Sequence, residues 1–323
     1  MEAVQRGKEG YTMRRIDLRD ASGSCSASIL PEFGFNLFRL TVGGKEVLWS
    51  HSDLEQGTAS PSGSGLPILF PFPGRLSGST FIWNKRSYSL QSDDGLGHAI
   101  HGFVLDRAWR VIEQRAFEVT GEFQPSIDAP ELIGQWPGDF RIRCRYTLKS
   151  TGLDASYQVE NVGDESLPCG LGTHAYFCIP SDETAAEKCS LRFSAKSHWR
   201  LDNMLTVGKD SLLLPNERYE LFRAGMAINE LQLDDVFSDV VFEDGKANAT
   251  LVDPTAEWKM TMTWDEQCRT CVVYIPPHRE AICIEPCSIV PGGFGFSGDD
   301  DGLQVLAPGE HFEHRLSILL DYQ

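Results

Sequence analysis

Five side chains carry the residue types that proton chemistry on a small polar molecule needs: Arg75, His101, His174, Asp234 and Glu285. Glu285 ends the apolar run Ala281-Ile-Cys-Ile and precedes Pro286, a pattern that at least half buries its carboxylate. Burial disfavours the charged form and raises the pKa towards working pH, where the group is a useful proton acceptor. The same local pattern also fits a strand-end glutamate facing water or paired with a structural arginine. His174 follows Pro168-Cys-Gly-Leu-Gly-Thr, just past a glycine-rich strand end. An imidazole with an ordinary pKa near ~6.5 is partly protonated at neutral pH and can act as an acid. A lone histidine in apolar surroundings is equally a hydrogen-bonded core residue, and that reading holds for His101 as well. Asp234, in Leu231-Gln-Leu-Asp-Asp-Val-Phe237, begins an acidic pair in an apolar frame, although such pairs also occur on surfaces and turns.

Arg75 sits in Leu66-Pro-Ile-Leu-Phe-Pro-Phe-Pro-Gly-Arg-Leu76, and His98-Ala-Ile-His101-Gly follows a short hairpin later. Proline fixes φ and glycine permits close backbone approach, so this run builds a rigid, irregular wall around one arginine. A preorganised guanidinium near an imidazole suits a ligand rich in hydroxyls or carrying an anionic group. The spacings His98/His101 and His311/His314 lack the helical setting of a zinc site, so no metal is expected. Cys268-Arg-Thr-Cys271 has no second pair and no thioredoxin-like unit beside it, and reads as a strand entry.

Strands must position these residues, because period-two patterning dominates the chain. Ile142, Cys144, Tyr146 and Leu148 alternate with Arg141, Arg143 and Arg145, and after the turn at Ser150-Thr-Gly152 the alternation resumes at Leu153, Ala155, Tyr157 and Val159. The alternating arginines read as a solvated sheet face. Trp258, Met260, Met262 and Trp264 form another half-buried strand, and Leu316, Ile318 and Leu320 a last one. Hairpins are expected around Gly43-Gly44 and Asn84-Lys-Arg86. The one helical candidate lies within 219–231, weakened by Gly225. Thr58–Gly65 and Gly298–Gly302 read as surface loops. No linker or fixed-period repeat divides the chain, so residues 1–323 are expected to form one all-β domain, a large antiparallel sandwich.

A net charge of −17 argues against nucleic-acid phosphates or an anionic membrane as partners. Nine cysteines, several in apolar alternation, suggest buried reduced thiols and a cytoplasmic setting. The opening Met1-Glu-Ala-Val-Gln-Arg-Gly-Lys-Glu9 lacks the apolar core of a signal peptide and no run reaches transmembrane length, so neither is expected.

In order, Pro71-Phe-Pro-Gly-Arg75-Leu, His101-Gly-Phe, Trp136-Pro-Gly-Asp-Phe, Val159-Glu-Asn-Val-Gly-Asp, Gly172-Thr-His174-Ala-Tyr-Phe, Leu233-Asp234-Asp-Val-Phe and Ile284-Glu285-Pro resemble the aldose 1-epimerase (galactose mutarotase) family, from about Phe33 to the last strand. Each motif is short, but seven in the right order are specific. The resemblance implies an antiparallel β-supersandwich with an open sugar-binding cleft and no required cofactor. It implies that His174 is the general acid, Glu285 the general base, and Arg75, His101 and Asp234 substrate-binding groups; for ring opening, an acid and a base on opposite sides of a pyranose could deliver and remove the two protons at once. Ala175 stands where the family often has proline. His101-Gly-Phe-Val departs from the Gly-Gly form of the galactose-active branch, which leaves the preferred aldose open. The implied activity is aldose 1-epimerisation. Hexose-6-phosphate mutarotation, a sugar-binding protein without catalysis and glycoside hydrolysis by Asp234 and Glu285 are the rivals. The oligomeric state and any contribution of His98 or Cys178 stay open.

Overall fold

The computed structural model describes residues 13–92, 94–180, 187–206, 213–215, 217–295 and 303–322. The alternating segments form strands as their period requires. Phe140–Lys149 and Gly152–Asn161 pair antiparallel in unbroken register, burying Ile142, Cys144, Tyr146, Leu153 and Tyr157 on one face. They lie inside a nine-stranded antiparallel sheet that continues through His311–Tyr322, Trp258–Asp265 and Lys246–Asp253. An eight-stranded sheet contains Ala195–Trp199, Asp234–Val240, Thr270–Tyr274, Ala281–Cys287, Gly172–Thr173 and Ile68–Leu69, with Ala175–Cys178 also paired to Ala281–Cys287. A four-stranded sheet starts the described chain. This is the expected all-β antiparallel sandwich.

One contiguous buried cluster runs from Ile16 to Leu320 and joins the sheets. Phe193 meets Phe237 of the eight-stranded sheet and Trp264 of the nine-stranded one, with ring centroids 5.4 and 6.4 Å away. Phe35 stacks on Tyr146 at 5.5 Å and on Trp109 at 5.6 Å. Each such fully buried side chain contributes roughly 1.5–3 kcal/mol by leaving water. Phe35 needs Gly121 beneath it, where a Cβ would lie 2.6 Å from the ring.

Arg141, Arg143 and Arg145 face outward as expected, and they are cross-linked there. Glu122 accepts from Arg143 Nε at 2.6 Å and Arg110 Nη2 at 2.8 Å, and Arg141 reaches Glu160 at 2.9 Å. The expected helix lies within 219–231 and is short. The helix covers Tyr219–Ala224 and stops at Gly225, whose φ of 113° no helix accommodates; Met226–Ala227 is then a strand, and a 3-10 turn follows at Ile228–Glu230. The Gly43-Gly44 and Asn84-Lys85 turns have positive φ at both positions, and each closes a hairpin. The Gly298–Gly302 segment lies outside the described residues. No helix among the described residues is long and apolar enough to cross a membrane.

The wall around Arg75 depends on close backbone contacts. Phe70 and Gly102 form an isolated bridge, and a Cβ on Gly102, at φ 76°, would lie 2.0 Å from the Phe70 carbonyl oxygen. Gly95 has a similar φ of 74° but open space around it. Replacing Gly95 with alanine should therefore cost only the backbone term, about 1 kcal/mol. Gly102→Ala adds a clash and should cost clearly more, about 3 kcal/mol or above. Denaturant unfolding of the two variants checks the difference.

Candidate active site

Strand register assembles the site. Ala175 pairs with Ile284 and Gly172 with Cys287, so the intervening His174 lies opposite Glu285. On the other side of the same strand, Glu285 pairs with Val272. Two residues further along, Tyr176 pairs with Cys283, Cys283 with Tyr274, and Tyr274 with Asp234. Since side chains two apart share a face, these form two neighbouring rows across four strands. His174 and Glu285 belong to one row, Tyr274 and Asp234 to the next.

A cavity of about 230 Å³ opens over these rows, lined by Arg75, His101, His174, Asp234, Tyr274 and Glu285 together with Gly74, Leu201, Met204 and Pro291. All five residues singled out from the sequence therefore line one pocket. His174 Nε2 lies 3.2 Å from Glu285 Oε1, and both residues are buried. The expectation of acid and base on opposite sides of a ring needs correction: they stand side by side, on directly opposed strand positions.

Burial dominates the electrostatics. It pushes His174 down to about 3 and raises Glu285 well above the usual carboxylate range. Burial thus favours the neutral forms of both groups, in place of the partly protonated imidazole expected from an unperturbed pKa. At 3.2 Å, His174 Nε2 and Glu285 Oε1 are close enough to share one proton. On the other side of the ring, His174 Nδ1 lies 2.8 Å from Cys283 Sγ. Tyr176 stacks against the imidazole at 5.0 Å and His101 meets it edge-on at 5.2 Å.

His101 is also held neutral, by burial first and by neighbouring His174 and Arg75 second. Its Nδ1 accepts from the Gly74 N–H at 3.3 Å while the His101 backbone N–H donates to the Gly74 carbonyl at 2.9 Å. That fixes the hydrogen on Nε2. Arg75 is aimed by Asp94, whose Oδ2 accepts from Nε at 2.8 Å and whose side chain is fully buried. Asp94 Oδ1 accepts in turn from the Leu96 and His98 amides. Asp234 is open to solvent, yet the cleft desolvates it enough to raise its carboxyl, with Arg75 opposing.

Other residues separate from the site. His98 lies behind the wall, Nδ1 accepting from the Gly78 N–H at 3.0 Å and Nε2 against Asn203 at 2.9 Å. Cys178 lines a small separate cavity with Lys45 and Val47. His314 is buried between Asp265, 2.7 Å away, and Cys268, and His311 is exposed. Sequence reading missed Cys283, Tyr176, Tyr274 and Asp94. Cys283 and Tyr176 had a usable signal, since each lies two positions from a singled-out residue on a strand. Asp94 had none. The glycines of Gly170-Leu-Gly172 also find their reason here: a Cβ on Gly172 would meet Pro73 at 2.7 Å and Cys287 Sγ at 2.8 Å.

Donor atoms of His174, Cys283 and Glu285 lie within 4.8 Å of one another, a set whose types suit zinc. Both ring nitrogens of His174 already have protein neighbours, Nδ1 at 2.8 Å from Cys283 Sγ and Nε2 at 3.2 Å from Glu285 Oε1.

The protein is thus an antiparallel sandwich whose cleft holds a buried carboxyl–imidazole pair with an arginine, a second histidine and an aspartate around it. The Aldose 1-epimerase family model matches residues 15–319, and the chain belongs to that family. The fold is similar to a galactose mutarotase-like protein from Clostridium acetobutylicum, with a TM-score of 0.83, 21% identity, and coverage of 97% of this chain and 99% of that one. It is similar also to galactose 1-epimerase from Lactobacillus acidophilus NCFM, with a TM-score of 0.72, 16% identity, and coverage of 96% and 99%. Among curated proteins, the uncharacterized protein YphB of Escherichia coli (strain K12) is 23% identical over 266 residues, 79% of this chain and 83% of that protein.

His174 ring resonances in a pH titration should show no transition between about pH 5 and 8, and should report a neutral imidazole. A transition near ~6.5, or a protonated ring throughout that range, would contradict the neutral pair.

Proposed function

We propose that this protein is a mutarotase that interconverts the α- and β-anomers of an unphosphorylated aldose. The buried His174–Glu285 pair at 3.2 Å carries the reading. Ring opening requires a proton at the ring oxygen and loss of one from the C1 hydroxyl. Both oxygens are bonded to C1, so groups standing side by side can reach both. With the shared proton on His174, the imidazolium protonates the ring oxygen while Glu285 takes the hydroxyl proton and the C1–ring-oxygen bond breaks. The shared proton now sits on Glu285 and the sugar is an open-chain aldehyde. After rotation about C1–C2, Glu285 returns its proton to the carbonyl oxygen as the C5 hydroxyl attacks C1 and gives its proton to His174. The opposite anomer forms, and the pair is restored with no net proton gained or lost. This chemistry calls for no cofactor. Well-placed acid and base each contribute around 10²–10⁴-fold.

Arg75, His101 through its Nε2–H, and Asp234 supply two donors and an acceptor for the remaining hydroxyls. Against a sugar phosphate stands the charge of the cavity: Arg75 is the one lysine or arginine among its described lining residues, and its Nε is already engaged by Asp94. Against a binder without catalysis stands the cost of burying a titratable pair that binding alone does not need. Glycoside hydrolysis would leave His174 without a task. The chain is read as one domain acting in the cytosol, a setting supported by nine unpaired cysteines.

Polarimetry on freshly dissolved α-D-glucose, α-D-galactose and glucose 6-phosphate tests the assignment. Equilibration of a free aldose should run well above the buffer rate, and Glu285→Gln should reduce kcat by about 10²-fold or more. Asp234→Ala should raise KM more than it lowers kcat. Glucose 6-phosphate as the better substrate would overturn the choice of an unphosphorylated sugar.

The pH dependence follows from the directions of the two shifts. The one-proton pair is lost on the acid side when it gains a second proton, at a pH depressed by the lowered His174. It is lost on the alkaline side when the last proton leaves, at a pH elevated by the raised Glu285. The kcat profile should therefore be a broad bell with a flat top through neutral pH. A sharp optimum with a limb at ~6.5 would mean an unperturbed histidine controls turnover.

A further inference from the structure

Exchanging a proton at one nitrogen of an imidazole requires the other nitrogen to keep its hydrogen throughout, and the partner of that other nitrogen fixes it there. In the His174–Glu285 pair the nitrogen facing the carboxyl is Nε2, at 3.2 Å. The partner of Nδ1 therefore sets the tautomer, and Cys283 Sγ stands there at 2.8 Å. Cys283 is fully buried and does not line the cavity. It lies two residues before Glu285 on one strand, on the same face as the base. Tyr176, its antiparallel partner, stacks on the imidazole with ring centroids 5.0 Å apart. Stacking fixes the plane of a ring but is indifferent to a half-turn about Cβ–Cγ, which puts carbons where the nitrogens were. A polar contact at Nδ1 is not indifferent.

We infer that Cys283 is a positioning residue: its sulfur accepts from the Nδ1–H of His174, holds the ring in one orientation and one tautomer, and leaves Nε2 as the nitrogen that exchanges a proton. A thiol suits this place. A carboxylate against Nδ1 would add a buried anion beside Glu285 and hold the imidazole charged, whereas a thiol accepts weakly and stays neutral. Burial pushes the Cys283 thiol well above its ordinary range, so no thiolate competes with Glu285 for the proton. Its own S–H faces the Glu285 carboxyl, so one side chain touches both members of the pair. The effect on turnover rests on the mutarotase reading; the tautomer does not.

The test is nitrogen NMR of isotope-labelled histidine at neutral pH on the wild type, Cys283→Ala and Cys283→Ser, with polarimetric kinetics on the same proteins. His174→Asn identifies the resonances. In the wild type, Nδ1 of His174 should carry the hydrogen and Nε2 the lone pair. Cys283→Ala should give a mixture of tautomers and lower kcat about tenfold, the worth of one hydrogen bond, with KM unchanged because Cys283 lies outside the cavity. Cys283→Ser restores an acceptor and should recover the tautomer and most of kcat. A hydrogen on Nε2 in the wild type would overturn the assignment, and that measurement needs no variant to fold. Persistence of the wild-type tautomer in Cys283→Ala would overturn it too, as would a loss that Cys283→Ser does not recover. A lost tautomer with kcat unchanged would refute the role in turnover. If the wild type turns over no aldose while Cys283→Ala loses the Nδ1–H tautomer, the positioning role stands and the mutarotase assignment falls.

Discussion

The antiparallel register between Ala175–Cys178 and Ala281–Cys287 is the constraint on which the rest depends. It sets His174 directly against Glu285, and it aligns Cys283 with Tyr176 and Tyr274 in the adjoining row. A one-residue slip would turn every one of these side chains to the other face of the sheet. The strand carrying Glu285 is buried along its whole length, from Ala281 to Cys287, which leaves that register little freedom. The same burial that specifies the pairing perturbs the titrating groups. Stability of the sheet and reactivity of the site thus arise from one arrangement.

The remaining site residues are held by loops, and loops need other means of rigidity. Arg75 is fixed by a buried carboxylate, His101 by a reciprocal pair of hydrogen bonds with Gly74, and the loop behind them by Gly102 lying against the Phe70 carbonyl. Orienting polar groups in this way before a ligand arrives reduces the ordering cost of binding. Asp94, His98 and Asn203 do not line the cavity; Asp94 acts through Arg75, and its Oδ1 also accepts from the His98 amide.

A chain with a net charge of −17 thus encloses a pocket in which the central pair carries no net charge. Acidity elsewhere is compensated locally, as where Glu122 and Glu160 answer the outward arginines. Overall charge describes the solvated surface. Local desolvation describes the site.

Much of this was legible in the residue pattern, because a period of two reports which side of a strand is buried. That is how the Ile142–Leu148 and Trp258–Trp264 strands could be read, and why Glu285 stood out as a carboxylate in an apolar run. The glycines and prolines around Arg75 marked a tight, irregular wall. Linear pattern could not show that Asp94 aims Arg75, since a loop aspartate has no periodic signature. Nor could it end the helix at Ala224, where pairing of Met226–Ala227 with Ser190 and Leu191 competes. The sequence alone determined which side chains are buried and which backbone positions need glycine, because both are local properties. Only the tertiary structure decided that His174 and Glu285 stand side by side and favour neutral forms, because distance and desolvation depend on strands far apart in the chain.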